Sequence, residues 1–176
     1  RILSSQDALV MPERPERLII VGSGAIGMEF AYFFNAMGTA VTVIEMLDRI
    51  LPVEDMEVSK EALKIFKKQG ITFKPGHITT AIDRTDSGVS VTIANAKDES
   101  KSEVLEGDAV LVAVGVSGRF DGLFGDGVDI DIDRGHINVT YQGVDEPTYE
   151  TSLPGVYAIG DVIGPPWLAH VAGEEA

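Results

Sequence analysis

The stretch LIIVGSGAIGMEF (residues 18–30) is an apolar strand that passes through three glycines, Gly22, Gly24 and Gly27, into an apolar helix. Glycines at such a turn have separate physical uses. One permits the tight turn, one admits a bulky group against bare backbone, and one lets the helix lie close on the sheet. The run Gly22, Ser23, Gly24, Ala25, Ile26, Gly27 is a G-x-G-x-x-G, which carries little weight alone. Its setting carries more. A strand precedes it, a helix follows, and Glu45 closes the next apolar strand 18 residues after Gly27, about the separation a dinucleotide-binding unit requires.

Outward from this turn the pattern alternates between strand and helix. Residues 18–21 read as a strand, 25–37 as a helix, 40–44 as a strand, 54–69 as a helix and 71–74 as a further strand. Gly38 and Gly70 stand where helix C-termini are expected, and the second helix has Glu54, Asp55 and Glu57 early and Lys67 and Lys68 late, as its dipole favours. This is a βαβαβ unit. From His77 the rhythm changes to period-two alternation through the turn at residues 86–88 and a charged turn at residues 97–101, which predicts a three-stranded antiparallel excursion. A buried strand over 109–114 then rejoins the parallel sheet. Short strands are predicted at 136–139 and 155–159. The fold class is α/β, a Rossmann-like parallel sheet with an antiparallel excursion.

Bulk composition narrows the chemistry. With 14 Lys plus Arg against 28 Asp plus Glu, the 176-residue chain has a formal charge of −14, so a nucleic-acid backbone would be repelled. No apolar run reaches the roughly 20 residues of a membrane-spanning helix, and RILSSQDALVMPERP at the start lacks the apolar core of a secretory signal. The chain has no cysteine, so it holds no disulfide, thiolate metal site or cysteine nucleophile of its own. Against the glycine turn, N–H groups at the helix N-terminus and the positive end of the dipole attract a pyrophosphate. Glu45 can accept both ribose hydroxyls of NAD and repels a 2′-phosphate, and no Lys or Arg follows it until Arg49, so NAD is favoured over NADP.

VGSGAIGMEFA (residues 21–31), VTVIEMLDRILP (41–52), ALKIFKKQGITF (62–73) and VYAIGDVIGPPWLAHVA (156–172) together resemble the flavin-dependent pyridine nucleotide-disulfide oxidoreductases, most closely those that oxidise dihydrolipoamide. The resemblance implies the NAD domain of that fold over residues 15–117, a lead-in from an FAD domain over 1–14 and a partial return into that FAD domain over 118–176. NAD contacts are implied at the glycine turn, at Glu45, at Gly115 and at Glu29, which in the family approaches the nicotinamide carboxamide. FAD contacts are implied at Gly160 and Asp161, the latter toward the ribityl chain, and at Leu168, Ala169 and His170, toward the flavin pyrimidine edge. Where the family carries Gly-Arg-x-Pro after the strand ending at Gly115, this chain reads GVSGRFDGL.

The resemblance further implies a parent enzyme that oxidises dihydrolipoamide with NAD+ through FAD and a redox disulfide, as a homodimer and a component of 2-oxo acid dehydrogenase complexes. The chain itself, with no catalytic residue and no metal site, is expected to be an inactive internal portion. Mercuric reductase, transhydrogenase or an isolated, non-catalytic NAD-binding module are the competing readings. The parent's compartment, bacterial cytoplasm or mitochondrial matrix, is chosen by no residue here.

Overall fold

Leu18, Ile19 and Ile20 are at most 2% exposed, so the strand that carries them is covered on both faces. The computed structural model, which describes residues 1–140 and 148–176, shows how. The chain divides into two units, Arg1–Gly115 and Val116–Ala176. In the first, β1 (Ile2–Leu3), α1 (Ser5–Leu9), β2 (Arg17–Val21), α2 (Ala25–Ala36), β3 (Ala40–Glu45), α3 (Met56–Lys68) and β4 (Thr72–Pro75) lead to three long strands. These are β5 (His77–Arg84), β6 (Val89–Asn95) and β7 (Asp98–Gly107), and β8 (Ala109–Val112) follows. Five strands form a parallel sheet in the order β1-β8-β2-β3-β4, and β5-β6-β7 form a separate antiparallel sheet.

Alternation along the strands sorts the core into two layers. Leu18, Ile20, Val41, Val43, Ala109 and Leu111 meet Met28, Ala31 and Phe34 of α2 on one face, with Phe66 of α3 packed against them. Ile19, Ile44 and Val110 point the other way and meet Val89, Val91 and Ile93 of β6. The antiparallel excursion is therefore the cover of the second face, which a parallel sheet of continuous apolar strands requires. Helix α3 needs burial on only one side. Asp55 caps it through the Glu57 N–H, and the Ser59 hydroxyl donates to the Ile50 carbonyl at 2.6 Å, fixing its first turn to the loop before it.

The first residues join this sheet. Ile2 and Leu3 pair in parallel with Val110 and Leu111, and a capping box between Ser4 and Asp7 starts α1. At the entry of β8, Asp108 ties that strand to β2. Its carboxylate accepts the Arg17 N–H at 2.8 Å and the Arg17 guanidinium at 3.0 Å, while its own N–H donates to the Arg17 carbonyl. Burial alone would raise this carboxyl's pKa. The Arg17 hydrogen bonds and positive charge outweigh burial and hold it below its ordinary value of 3.8. A carboxyl whose folded pKa is depressed contributes stability above its unfolded pKa and loses it as pH falls through the folded value. Asp108→Asn should therefore lower the urea midpoint by a constant amount at neutral pH. The gap to wild type should shrink below about pH 4. A gap that stays constant down to pH 3 would show that Asp108 is not held this way.

The second unit is less regular. Residues 132–133 (β9, Ile132–Asp133) and 136–137 (β10, His136–Ile137) form a two-residue antiparallel pair, shorter than the strand predicted at 136–139. The strand predicted at 155–159 is absent: only Tyr157 makes a bridge, to Glu150. The Thr151 N–H donates to the Val156 carbonyl and the Ala158 N–H to the Tyr149 carbonyl, so this apolar run pairs with residues 149–151 over one bridge only, and Val156, Tyr157 and Ile159 stay 40%, 62% and 38% exposed. Ile130, Ile137 and Ile163 form the small core of this unit, joined by Phe120 and Phe124. A single 3-10 turn, Gly160–Ile163, and α4 (Ala169–Glu175) end it.

Candidate functional site

The three glycines of the turn meet three different surroundings. Gly22 has φ +102°, donates its N–H to the Ile44 carbonyl and lies against β8, where a Cβ would sit 2.3 Å from the Ala113 carbonyl oxygen. No side chain fits there. At Gly27 a Cβ would sit 2.1 Å from the Gly22 carbonyl oxygen, so α2 can approach the turn this closely only with glycine. Gly24 is the N-cap of α2 with φ −68°, and nothing lies within 4 Å of the position a Cβ would take. Folding requires glycine at Gly22 and Gly27. It does not require one at Gly24, where the bare backbone faces open space at the start of a twelve-residue helix. Ala25 and Ile26 open that helix, the first exposed and the second half-buried. Glycine with no steric reason of its own, at the positive end of a helix dipole, is the cradle that a phosphate can approach.

Glu45 ends β3, the neighbour of β2, and is 9% exposed. Its carboxylate is held by three donors. Oε2 accepts the Ser23 N–H at 2.9 Å and the Ser23 hydroxyl at 2.6 Å, and Oε1 accepts the Leu47 N–H at 2.8 Å. Ser23 is fully buried, so its side chain faces the acid rather than solvent. This link was not legible in the motif, where residue 23 is any residue. Its signal is a small hydroxyl side chain between two glycines, two residues past a strand whose middle is fully buried. Beside Glu45, at the ends of β3 and β4, a cavity of about 220 Å³ is lined by Met46, Asp48, Gly76 and Lys97 among others.

Gly115 lies two residues past Ala113, has φ +156° and has nothing within 4 Å of a Cβ position. Glu29 sits on the exposed side of α2 with no hydrogen-bond partner among the described residues. Thus Gly22, Gly24, Glu45 and Gly115 come from the carboxyl ends of three adjacent strands, β2, β3 and β8, the position at which open α/β sheets collect ligands.

In the second unit, Gly160 has φ +74° and donates its N–H to the Glu175 carboxylate at 2.7 Å, which holds the 3-10 turn against α4. Asp161 is exposed, and its carboxylate accepts no hydrogen bond among the described residues. Leu168 is the N-cap of α4, so the N–H groups of Ala169 and His170 lack intrahelical partners. Both His170 and Leu168 are exposed. Among the described residues, no group of three or more His, Asp or Glu could hold a metal ion, and no helix is long and apolar enough to cross a membrane.

The family model of the pyridine nucleotide-disulphide oxidoreductases matches residues 1–176. Dihydrolipoyl dehydrogenase of Chlorobaculum tepidum is 41% identical over 176 residues, and that of Corynebacterium glutamicum 42% over 173 residues. The chain spans 36% and 35% of those relatives. Among solved structures, the HOCl-induced flavoprotein disulfide reductase RclA of Escherichia coli superposes with a TM-score of 0.82 at 26% identity, covering 99% of this chain and 37% of that one. LpdA of Mycobacterium tuberculosis gives 0.80 at 29% identity, covering 98% and 35%. Matched from its first residue to its last, and carrying the family's glycine turn in the strand-turn-helix setting that gives the motif meaning, the chain belongs to the pyridine nucleotide-disulphide oxidoreductase family.

Proposed function

We propose that this chain is the NAD-binding portion of a flavoprotein disulfide oxidoreductase of the dihydrolipoyl dehydrogenase type, which oxidises dihydrolipoamide with NAD+ through FAD and a redox disulfide that this chain does not contain. One observation carries the nucleotide site: of the three turn glycines, Gly24 alone is sterically unnecessary, and it opens the helix beside a buried acid at the end of the adjacent strand. The choice of dihydrolipoamide rests on relatives of that name at about 40% identity, against 26% for the disulfide reductase of Escherichia coli. By the same likeness the parent is a homodimer that works within 2-oxo acid dehydrogenase complexes.

The residues fit NAD. Gly24, Ala25 and Ile26 would receive the pyrophosphate on their N–H groups, Glu45 would take the adenosine ribose, and Gly115 leaves room beside the turn. Glu29 would orient the carboxamide of the nicotinamide, which supplies hydride acceptance when bound. In the second unit, Gly160 and Asp161 would take the ribityl chain of FAD, and the turn at Leu168, Ala169 and His170 its pyrimidine edge, through the N–H groups of Ala169 and His170, since that of Leu168 already donates to the Pro166 carbonyl. Asp161 suits this because its carboxylate is exposed and has acceptor capacity to offer.

Gly24→Val tests the nucleotide site. With φ −68° and open space around the new side chain, the variant should lose about 1 kcal/mol of stability or less. Its isopropyl group would occupy the place of the pyrophosphate, so NAD affinity by isothermal titration should fall about tenfold or more. A folded Gly24→Val chain that binds NAD as wild type does would remove the turn from the nucleotide site.

A further inference from the structure

Helix α4 has little apolar packing to hold it. None of its seven residues is buried, and among the described residues none joins the small core of Ile130, Ile137 and Ile163. Two contacts mount it instead. At its start, just before Leu168, the Trp167 ring stacks on His136 with ring centroids 6.0 Å apart. At its far end, Glu175 reaches back across 15 residues, and its Oε2 accepts the Gly160 N–H at 2.7 Å. Gly160 suits that bond because it is bare: its φ is +74°, and a Cβ there would stand 3.2 Å from the Ala172 Cβ. Leu168, Ala172 and Glu175 recur at the spacing of one helix face, so a single face of α4 runs from its N-cap to the bond with Gly160.

Gly160 directly precedes Asp161, so the Glu175 bond joins the two places proposed to hold one flavin. The chain that links them over residues 165–168 is exposed throughout and does little to fix their separation. Resting on the FAD contacts proposed above, we infer that Glu175 is a positioning residue for the flavin: it clamps α4 onto the Gly160 turn and so sets the distance between the Asp161 carboxylate and the N–H groups of Ala169 and His170. Without the clamp, α4 keeps its mount at Trp167 and is free to pivot there. Asp161 and the two N–H groups keep their chemistry and lose their common register. A grip made at two places weakens when its geometry is no longer set in advance, even though neither contact has been removed.

The bond is tested first in this chain, by amide hydrogen exchange followed by NMR. Exchange at Gly160 should quicken about tenfold or more in Glu175→Ala and stay near wild type in Glu175→Gln, whose side-chain carbonyl can still accept the N–H. The role is tested in the full-length parent. There Glu175→Ala should weaken FAD binding to the apoprotein about tenfold, while Glu175→Gln remains within about twofold of wild type. In the flavin that Glu175→Ala still holds, the midpoint potential should move to more negative values, because N–H donors at the pyrimidine edge stabilise the reduced, negatively charged ring. A glutamate that served stability alone would leave the potential of the bound flavin unchanged. Wild-type FAD affinity and potential in Glu175→Ala would overturn the inference, and so would a Glu175→Gln parent as damaged as Glu175→Ala. Asp161→Ala in the same parent separates this from the reading beneath it: if Asp161→Ala weakens FAD and Glu175→Ala does not, the clamp alone falls, whereas FAD binding untouched by either variant overturns the flavin site and the clamp together.

Discussion

Gly22→Ala should cost roughly 2–6 kcal/mol of stability, combining a left-handed backbone position that an L-residue resists with overpacking of a close contact. Two independent features of the turn produce this. Its φ of +102° is already unfavourable for alanine, and the new methyl would sit 2.3 Å from the Ala113 carbonyl oxygen and 2.7 Å from the carbonyl carbon. Neither neighbour can readily yield, because both are backbone of Ala113, directly after β8, whose N–H is itself held by the Val21 carbonyl at 2.8 Å, and β8 is flanked on both sides in the parallel sheet. Relief would require β2 and β8 to separate, and the register Leu18 to Ala109 through Val21 to Val112 would loosen with them. Against a typical domain stability of about 5–15 kcal/mol, the loss is a large fraction. A thermal midpoint lower by about 10 °C or more is the expected reading in calorimetry, and a shift under about 2 °C would contradict the packing described.

Glu45→Ala should be the second most damaging change. Removing the carboxylate leaves the N–H and hydroxyl of Ser23 without an acceptor in a fully buried place, while the Leu47 N–H, on a residue 46% exposed, can turn to water. Stranded buried donors cost about 1–3 kcal/mol each, so a loss of roughly 2–4 kcal/mol is expected in urea unfolding. Ser23→Ala in the same background removes one of the two donors and should recover part of it. Two losses that simply add, with no recovery in the double variant, would mean that the pair is not coupled. The same argument makes Glu45→Arg an unsuitable probe of NAD against NADP choice. The arginine cannot accept any of the three hydrogen bonds, so it would disturb the turn before it met a phosphate.

The sheet was legible because its strands carry unbroken apolar runs ended by glycines and charges. Predicted and observed bounds for β2, β3, β4 and β8 differ by two residues at most. Helix α2 reads well for a different reason: Gly24 opens it and Gly38, at φ +88°, lies just past its end. What the pattern missed is contact over distance. Two residues, Ile2 and Leu3, are too few to show a period, and their partner strand lies more than a hundred residues on. The capping box of Ser4 and Asp7 was present in the letters, yet Pro12 and Pro15 close behind it speak more loudly of a lead-in than of a helix. The site was half legible. Glycine spacing and Glu45 are motif properties, whereas the Ser23 bond to Glu45 depends on which way one side chain turns, and no spacing encodes that. In the second unit the apolar letters at 155–159 suggest a strand, but their pairing with residues 149–151 stops at one bridge, and letters do not set how far two segments run side by side.

The strand order has a consequence for how the chain is made. Strand β8 lies between β1 and β2, yet it is the last of the five to be synthesised. After β2 leaves the ribosome, about 90 residues must follow before its second neighbour exists, roughly 5–20 s at ordinary rates of translation. During that interval β2, β3 and β4 can pair, but one apolar edge of β2 stays open, and such an edge invites another nascent chain. The hairpins β5-β6-β7 emerge in the meantime and form from local contacts alone. Their apolar face, with Val89, Val91 and Ile93, is the one that later covers Ile19 and Ile44. The excursion thus acts as a shield that arrives before the strand it precedes, shortening the time for which the unfinished sheet is bare.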